Sequence, residues 1–328
     1  MSDYEFVNKL VHQANTIFIS THIFPDADGI GSQVALTLAL KYLGKNVVCI
    51  NQSSLLKRYR YLDQTNVIHS YHQYSKKKSK KEIDLFIIVD TNSTSRVGSD
   101  IQALVEKSKR VLFIDHHPCS EAIAAIHCIN TKAAATGEIV GEIIQSFKIP
   151  FNQDLALPLY TAILIDTNSF RYPTVTHNTH KLISTLLKTG IRPQIAYNKI
   201  YGTKSITHIK LVGHILSSAQ TTPSGNIAWI VVDQKTIEMY DGNVEDTHSF
   251  INHLLILDKI KVACMFRDVG NKVKISLRSA GDIDVGVIAQ ALGGGGHNHS
   301  AATLVEGKLK EIIPSTIEKI QEMLKRFT

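Results

Sequence analysis

From residue 1 to about residue 190, short β-branched and apolar runs alternate with stretches of helical periodicity. A parallel α/β sheet satisfies that order, and few other folds do. The runs at residues 16–20, 47–50, 85–90 and 111–115 read as strands, with a weaker one near 124–129. Between them, residues 31–43 are apolar on most sides and stop at Gly44, as a helix laid against a sheet does. Ile139, Val140, Ile143, Ile144 and Phe147 recur on one helical face, and a further helix covers residues 179–188. Gly190 and Pro193 then interrupt the pattern before a polar helical stretch over residues 194–218.

After Pro223, Ser224 and Gly225 the pattern changes to strands at residues 226–233, 261–268 and 272–279, the last two joined at Gly270 and Asn271 as a hairpin. The expected architecture is therefore α/β with two domains: an N-terminal parallel-sheet domain over residues 1–190, a helical linker over 191–220 and a smaller α/β domain over 221–328. A chain of 328 residues has room for both cores. Hydrophobic residues at 44% and charged residues at 20% suit a folded globular chain and exclude extensive disorder. No apolar run reaches the roughly 18 residues of a membrane span, and the first ten residues lack the apolar stretch of a secretory signal. Cys49, Cys119, Cys128 and Cys264 form no C-x-x-C pair and read as packing residues in a reducing compartment, so the expected location is cytoplasmic, away from membranes. The net charge of +7 favours anionic partners, and the lysine run at residues 76–81 reads as solvated surface.

The acids carry the chemistry. Asp26 and Asp28 follow the first strand, Asp90 and Asp115 end the next two core strands, and Asp166 ends the apolar run 159–165, read as another strand. In an open parallel sheet those carboxyl ends line one crevice. Any single strand-terminal Asp caps a turn more often than it binds a ligand. Jointly, they repel: two unit charges about 4 Å apart cost about 4 kcal/mol at an effective dielectric of 20, so a cation must neutralise them. With His22, His116 and His117 in the same places, the set suits two divalent ions sharing a bridging carboxylate. Imidazole and carboxylate without thiolate favour Mn²⁺, with Mg²⁺, Fe²⁺ or Co²⁺ as substitutes. Two such ions activate water for displacement at phosphorus, which makes phosphoester hydrolysis the natural reaction. The remaining feature is Gly293, Gly294, Gly295, Gly296 and His297, which follow a helical pattern; four residues without β-carbons let a ligand approach their N–H groups. His69, His72, His177, His180 and His253 read as surface or packing residues.

At these residues the chain resembles the DHH phosphoesterase superfamily. Asp115-His116-His117 is its name-giving motif, residues 21–32 look like its first, Val89-Asp90 its second and residues 165–172 its fourth, while Gly293 to His297 resemble the signature of the DHHA1 domain. The motifs follow family order over essentially the whole chain. Among members, a compact DHH–DHHA1 chain is most similar to the NrnA-type branch, which combines oligoribonuclease (nanoRNase) and 3′-phosphoadenosine-5′-phosphate (pAp) phosphatase activities. The resemblance implies one Mn²⁺ on His22, Asp26 and Asp90 and another on Asp28, Asp90, His116 and Asp166. His117 would stand beside the scissile phosphate with Asp115 supporting it. Arg267, Arg278, Gly294, Gly295, Gly296 and His297 would hold substrate, short RNA or pAp, in a cleft between the domains that measures substrate length. A homodimer is compatible with the resemblance. Two positions depart from the family pattern: Asn168 and Ala302 stand where relatives usually carry Gly. Stand-alone DHH–DHHA1 chains also resemble cyclic-dinucleotide and linear-dinucleotide phosphodiesterases. Manganese pyrophosphatases lack the glycine-rich His segment, and RecJ-like nucleases add a domain this length does not accommodate. A non-catalytic nucleotide-binding regulator is the alternative from another class, and the intact acids and histidines argue against it.

Overall fold

The structure, a computed structural model, describes residues 4–76, 82–118, 125–202, 204–242 and 244–325. Cys119 and the lysine run beyond Lys76 lie outside the described residues. The chain divides into two compact units, Met1–Thr203 and Lys204–Thr328.

In the first unit, strands β1 (Thr16–Thr21), β2 (Asn46–Asn51), β3 (Ile68–Ser70), β4 (Leu85–Val89), β5 (Val111–Asp115) and β6 (Ile126–Ile129) form a sheet of order β3-β2-β1-β4-β5-β6. Every pair is parallel. The strands are apolar runs because helices cover both faces, and alternate residues serve alternate sides. Ile17, Ile19, Leu85, Ile87, Leu112 and Ile114 pack with helices α1 (Glu5–Gln13), α2 (Ala27–Tyr42) and the helices after β6, whereas Phe18, Phe86, Ile88 and Phe113 pack with α4 (Ser99–Val105) and the tyrosines of α3 (Tyr71–Ser75). The helices after β6 are α5 (Thr136–Ser146), α6 (Gln153–Asp166), α7 (His177–Leu187) and α8 (Pro193–Ile200).

One expectation fails. Residues 159–165 are the C-terminal half of α6, not a strand, so Asp166 is the last residue of a helix. A seven-residue run interrupted only by Thr161 fits either period, and here it belongs to a helix buried on nearly every side, capped by Asn152 Oδ1 accepting from the Leu155 N–H. The short β3 was not expected, since three residues carry no readable alternation.

The second unit has strands β7 (Gln220–Thr221), β8 (Ile227–Val232), β9 (Val262–Val269), β10 (Lys272–Ser279), β11 (Gly295–His297) and β12 (Ser300–Glu306) in the order β11-β12-β10-β9-β8-β7. Only β8 and β9 run parallel among its described pairs, and the β9–β10 hairpin turns at Gly270 as read from sequence. One face packs on α11 (Val285–Ala291) and α12 (Leu309–Leu324); the other packs on α9 (Ile206–Ser217), α10 (Gln234–Met239) and a 3₁₀ segment, Val244–Ile256. Within residues 191–220, read from sequence as a helical linker, lie α8 and α9: Ala196 of α8 is buried in the first unit's core, and Leu211 and Ile215 of α9 in the second's. Among the described residues no helix is long and apolar enough to cross a membrane.

Candidate metal centre

The sheet order reverses between β1 and β4: the chain runs outward one way through β2 and β3, returns to β4 and continues the other way. Loops leaving the carboxyl ends of β1 and β4 therefore diverge and leave a crevice, the place where open α/β sheets bind ligands. His22, Asp26 and Asp28 follow β1 and Asp90 follows β4. Asp26 caps α2, its Oδ1 accepting from the Asp28 and Gly29 N–H groups at 2.9 and 3.2 Å. That cap sets Asp28 in the first turn, wholly buried. Asp90 takes φ of +62°, a left-handed conformation that Asp tolerates better than most residues, and it redirects the side chain at the strand's end. A methyl at Gly29 would lie 2.5 Å from Thr21 Oγ1 and 3.1 Å from Asp90 Oδ2, so the close approach requires glycine there.

The result is two adjacent trios. The ligand atoms of His22, Asp26 and Asp90 lie within 4.8 Å of one another, as do those of Asp28, His116 and Asp166. His22 Nε2 is 3.4 Å from Asp90 Oδ2, and His116 Nε2 is 3.2 Å from Asp166 Oδ2 and 4.0 Å from Asp28 Oδ2. Burial raises the carboxyl groups of Asp28, Asp90 and Asp166, and the negative charges of neighbouring acids raise them further, Asp90 and Asp166 well above the ordinary range. His116 Nε2 is buried and makes no hydrogen bond, while its Nδ1 faces the Ala133 carbonyl at 3.4 Å. Crowded carboxylates facing an imidazole nitrogen that makes no hydrogen bond are what a divalent cation resolves, and oxygen with imidazole donors suits Mn²⁺ or Mg²⁺. The donor set fits the ions implied by the sequence.

Asp115 is fully buried beneath this edge and accepts from His117 Nδ1 at 2.7 Å and from Asn92 Nδ2 at 2.9 Å. The pair leaves His117 Nε2 as the ring's outer nitrogen. Three residues that the sequence reading passed over complete the cluster. Thr136 and Gly137 open α5 and donate their N–H groups to Asp28 at 2.8 Å each, and Thr136 Oγ1 donates to Asp90 at 3.1 Å. A helix N-terminus holds a carboxylate well. Glu138 accepts from the Ala134 N–H at 2.7 Å and from Thr179 Oγ1 at 3.0 Å, and so braces the turn whose Ala133 carbonyl faces His116. Asn168 takes φ of +48°, which explains how Asn serves at a position where Gly is usual.

In the second unit, β9 and β10 bring Arg267 opposite Lys274 in register, with Arg278 four residues further along β10 on the same face. Arg267 Nη1 is buried without a hydrogen-bond partner. Burial, then Arg267 and Arg278, lowers the Lys274 ammonium. These are signs of cations gathered before an anion arrives. The glycine run is partly strand: β11 pairs with β12, Gly295 opposite Ala302 and Gly296 opposite Ala301. A β-carbon at Gly294 would strike the Ala302 carbonyl and one at Gly296 would strike Ala301, so these two glycines admit the chain's own neighbouring strand. Gly293 and Gly295 have open space above them. The His297 side chain lies outside the described residues.

Comparison with known proteins agrees with this geometry. Residues 16–163 match the DHH family, N-terminal domain, and residues 233–328 match the DHHA1 domain. The chain belongs to the DHH family of phosphoesterases and carries its DHHA1 domain. It is 26% identical over 313 residues to the bifunctional oligoribonuclease and PAP phosphatase NrnA of Thermus thermophilus, covering 94% of this chain and 90% of that protein. The Bacillus subtilis protein of the same name is 25% identical over 289 residues, 86% of this chain and 87% of that one. The crystal structure of an exopolyphosphatase-related protein from Bacteroides fragilis superposes with a TM-score of 0.86 at 26% identity, covering 98% of this chain and 95% of the other.

Proposed function

We propose that the chain hydrolyses short oligoribonucleotides to mononucleotides and pAp to AMP, using two divalent cations, Mn²⁺ by preference, in the cytoplasm. The observation that carries this reading is the pair of trios at the switch point, with Asp90 of the first also grouped with His116 of the second. Full-length similarity to proteins named for both activities supports the substrate class, and the buried free thiols of Cys49, Cys128 and Cys264 suit a reducing compartment.

In this reading His22, Asp26 and Asp90 hold one ion and Asp28, Asp90, His116 and Asp166 the other. The ions, when bound, supply an activated water and neutralise charge on the phosphoryl oxygens. Asp115 fixes the His117 ring through Nδ1, so Nε2 is the atom that donates to the leaving oxygen. Thr136 and Gly137 keep Asp28 aimed by holding its two oxygens. Arg267 and Arg278 give charge-assisted hydrogen bonds to a substrate phosphate, and the family resemblance adds Gly294, Gly295, Gly296 and His297 to the residues that hold substrate.

The test is a comparison of kcat/KM in Mn²⁺ for pAp, a diribonucleotide, a five-residue RNA, cyclic di-AMP and pyrophosphate. Preference for pAp and short RNA is expected. Selectivity for the cyclic dinucleotide, or binding without turnover of any of them, would overturn the reading.

A further inference from the structure

Phe24 is the most exposed large apolar side chain among the described residues, with 88% of its surface open, and it sits two residues from His22 and two from Asp26. Its backbone is held at φ of +54°, a region that strains a bulky L-residue and persists only where surrounding structure imposes it. The surroundings do impose it. The Ile23 N–H donates to the Arg96 carbonyl at 2.6 Å, the Ile23 carbonyl meets His22 Nδ1 at 2.8 Å, and Asp26 is tied into the cap of α2. A ring pushed into solvent by a braced, strained turn packs against nothing in the unit's core, so the fold does not account for it.

Two residues of extended chain span at most about 7 Å, so the Phe24 ring lies within a side chain's reach of the phosphate that the His22 trio would receive. A ribose sets its base at a comparable distance from its phosphate. On this ground, and resting on the phosphoesterase reading above, we infer that Phe24 is a stacking platform for the nucleobase next to the scissile phosphate. The ring offers the flat apolar face that every base can use, which selects nucleotides over phosphate esters without bases and tolerates any base. The backbone strain keeps the ring presented before substrate arrives, so no ordering is needed on binding.

The experiment uses the full chain with Mn²⁺ and two substrates, a diadenylate and its analogue carrying hydrogen in place of both bases. Phe24→Ala should lower kcat/KM for the diadenylate about tenfold, mostly through KM, and leave the abasic analogue within about twofold. Phe24→Trp should retain or improve the diadenylate value. Equilibrium binding of a hydrolysis-resistant phosphorothioate diadenylate should weaken by the same factor in Phe24→Ala, and this arm reads the platform even if turnover of the wild-type chain proves absent. Equal losses on both substrates would overturn the inference and make Phe24 a residue that shapes the loop. Unchanged binding and unchanged kcat/KM would overturn it outright.

Discussion

The two units build sites of opposite charge by opposite means. In the first, every strand pair is parallel, so carboxyl ends collect on one edge, and residues as distant as Asp28, after β1, and Asp166, at the end of α6, meet there. In the second, most pairs are antiparallel and no common carboxyl edge exists; Arg267, Lys274 and Arg278 meet on a sheet face through the register of two adjacent strands. Each site is therefore vulnerable in its own way. The acidic edge depends on long-range topology and buried charge, and losing one member disturbs the rest. The cationic face depends on one hairpin, and its members act more independently.

The largest effect should come from Asp90→Ala. Asp90 belongs to the His22 trio, groups as well with Asp115, His116 and His117, and accepts from Thr136 Oγ1, so its loss should remove turnover of a diribonucleotide by about a thousandfold or more, the several kcal/mol that metal charge stabilisation supplies. Measured kcat at saturating Mn²⁺ together with bound manganese checks it. Near wild-type turnover would dissolve the shared-carboxylate picture.

Asp28→Asn should follow, with a loss of about a hundredfold, and it sharpens the comparison against Asp26→Asn. Asp28 accepts from two backbone N–H groups and Ser32 Oγ, so an amide nitrogen there faces a donor and should cost about 1–3 kcal/mol of stability as well as activity. Asp26 is a helix cap, and Asn caps as well as Asp. Its exchange should cost activity and leave the unfolding midpoint in place. Equal stability losses in the two variants would mean that burial does not distinguish them.

On the cationic face, Arg278→Ala should raise KM for pAp and short RNA about tenfold, the scale of one charge-assisted hydrogen bond, while bound manganese stays constant. Reduced metal content with unchanged KM would make Arg278 a structural residue and erase the division of labour between the units.

Much of the acidic edge was legible because a parallel sheet announces itself through apolar runs and because chemistry-bearing residues fall where those runs stop. Strand β5 begins and ends where the sequence placed it, and β1 and β10 differ by at most one residue. Asp166 was found for a partly wrong reason: the run before it is helical, and only its end point mattered. Thr136, Gly137 and Glu138 were not legible, since a threonine and a glycine at a helix start acquire meaning only when the fold brings Asp28 opposite them. The glycine run shows the converse. Its composition suggested a loop open to ligand, but Gly294 and Gly296 are small to admit β12, a tertiary contact that local pattern does not encode.

The smallest effect is on stability and separates the units by pH. Asp28, Asp90 and Asp166 have carboxyl groups raised by burial and by their neighbours, whereas in the unfolded chain they return to the ordinary value near 3.8. Between that value and the raised ones the folded, metal-free chain holds more protons than the unfolded chain. Stability from these groups is therefore complete below about 3.8 and is lost as pH rises through the raised values. In chelator, Tm should fall by a few degrees as pH rises above the ordinary carboxylate range, and Asp90→Asn should flatten that slope because the amide carries no charge to bury. Saturating Mn²⁺ should raise Tm more at the higher pH, where the ion meets ionised carboxylates. Arg278→Ala should leave the slope as it is. A metal-free Tm that rises over the same interval would show that the acids are not the electrostatic burden of the first unit, and the contrast between its edge and the cationic face would have to be drawn on other grounds.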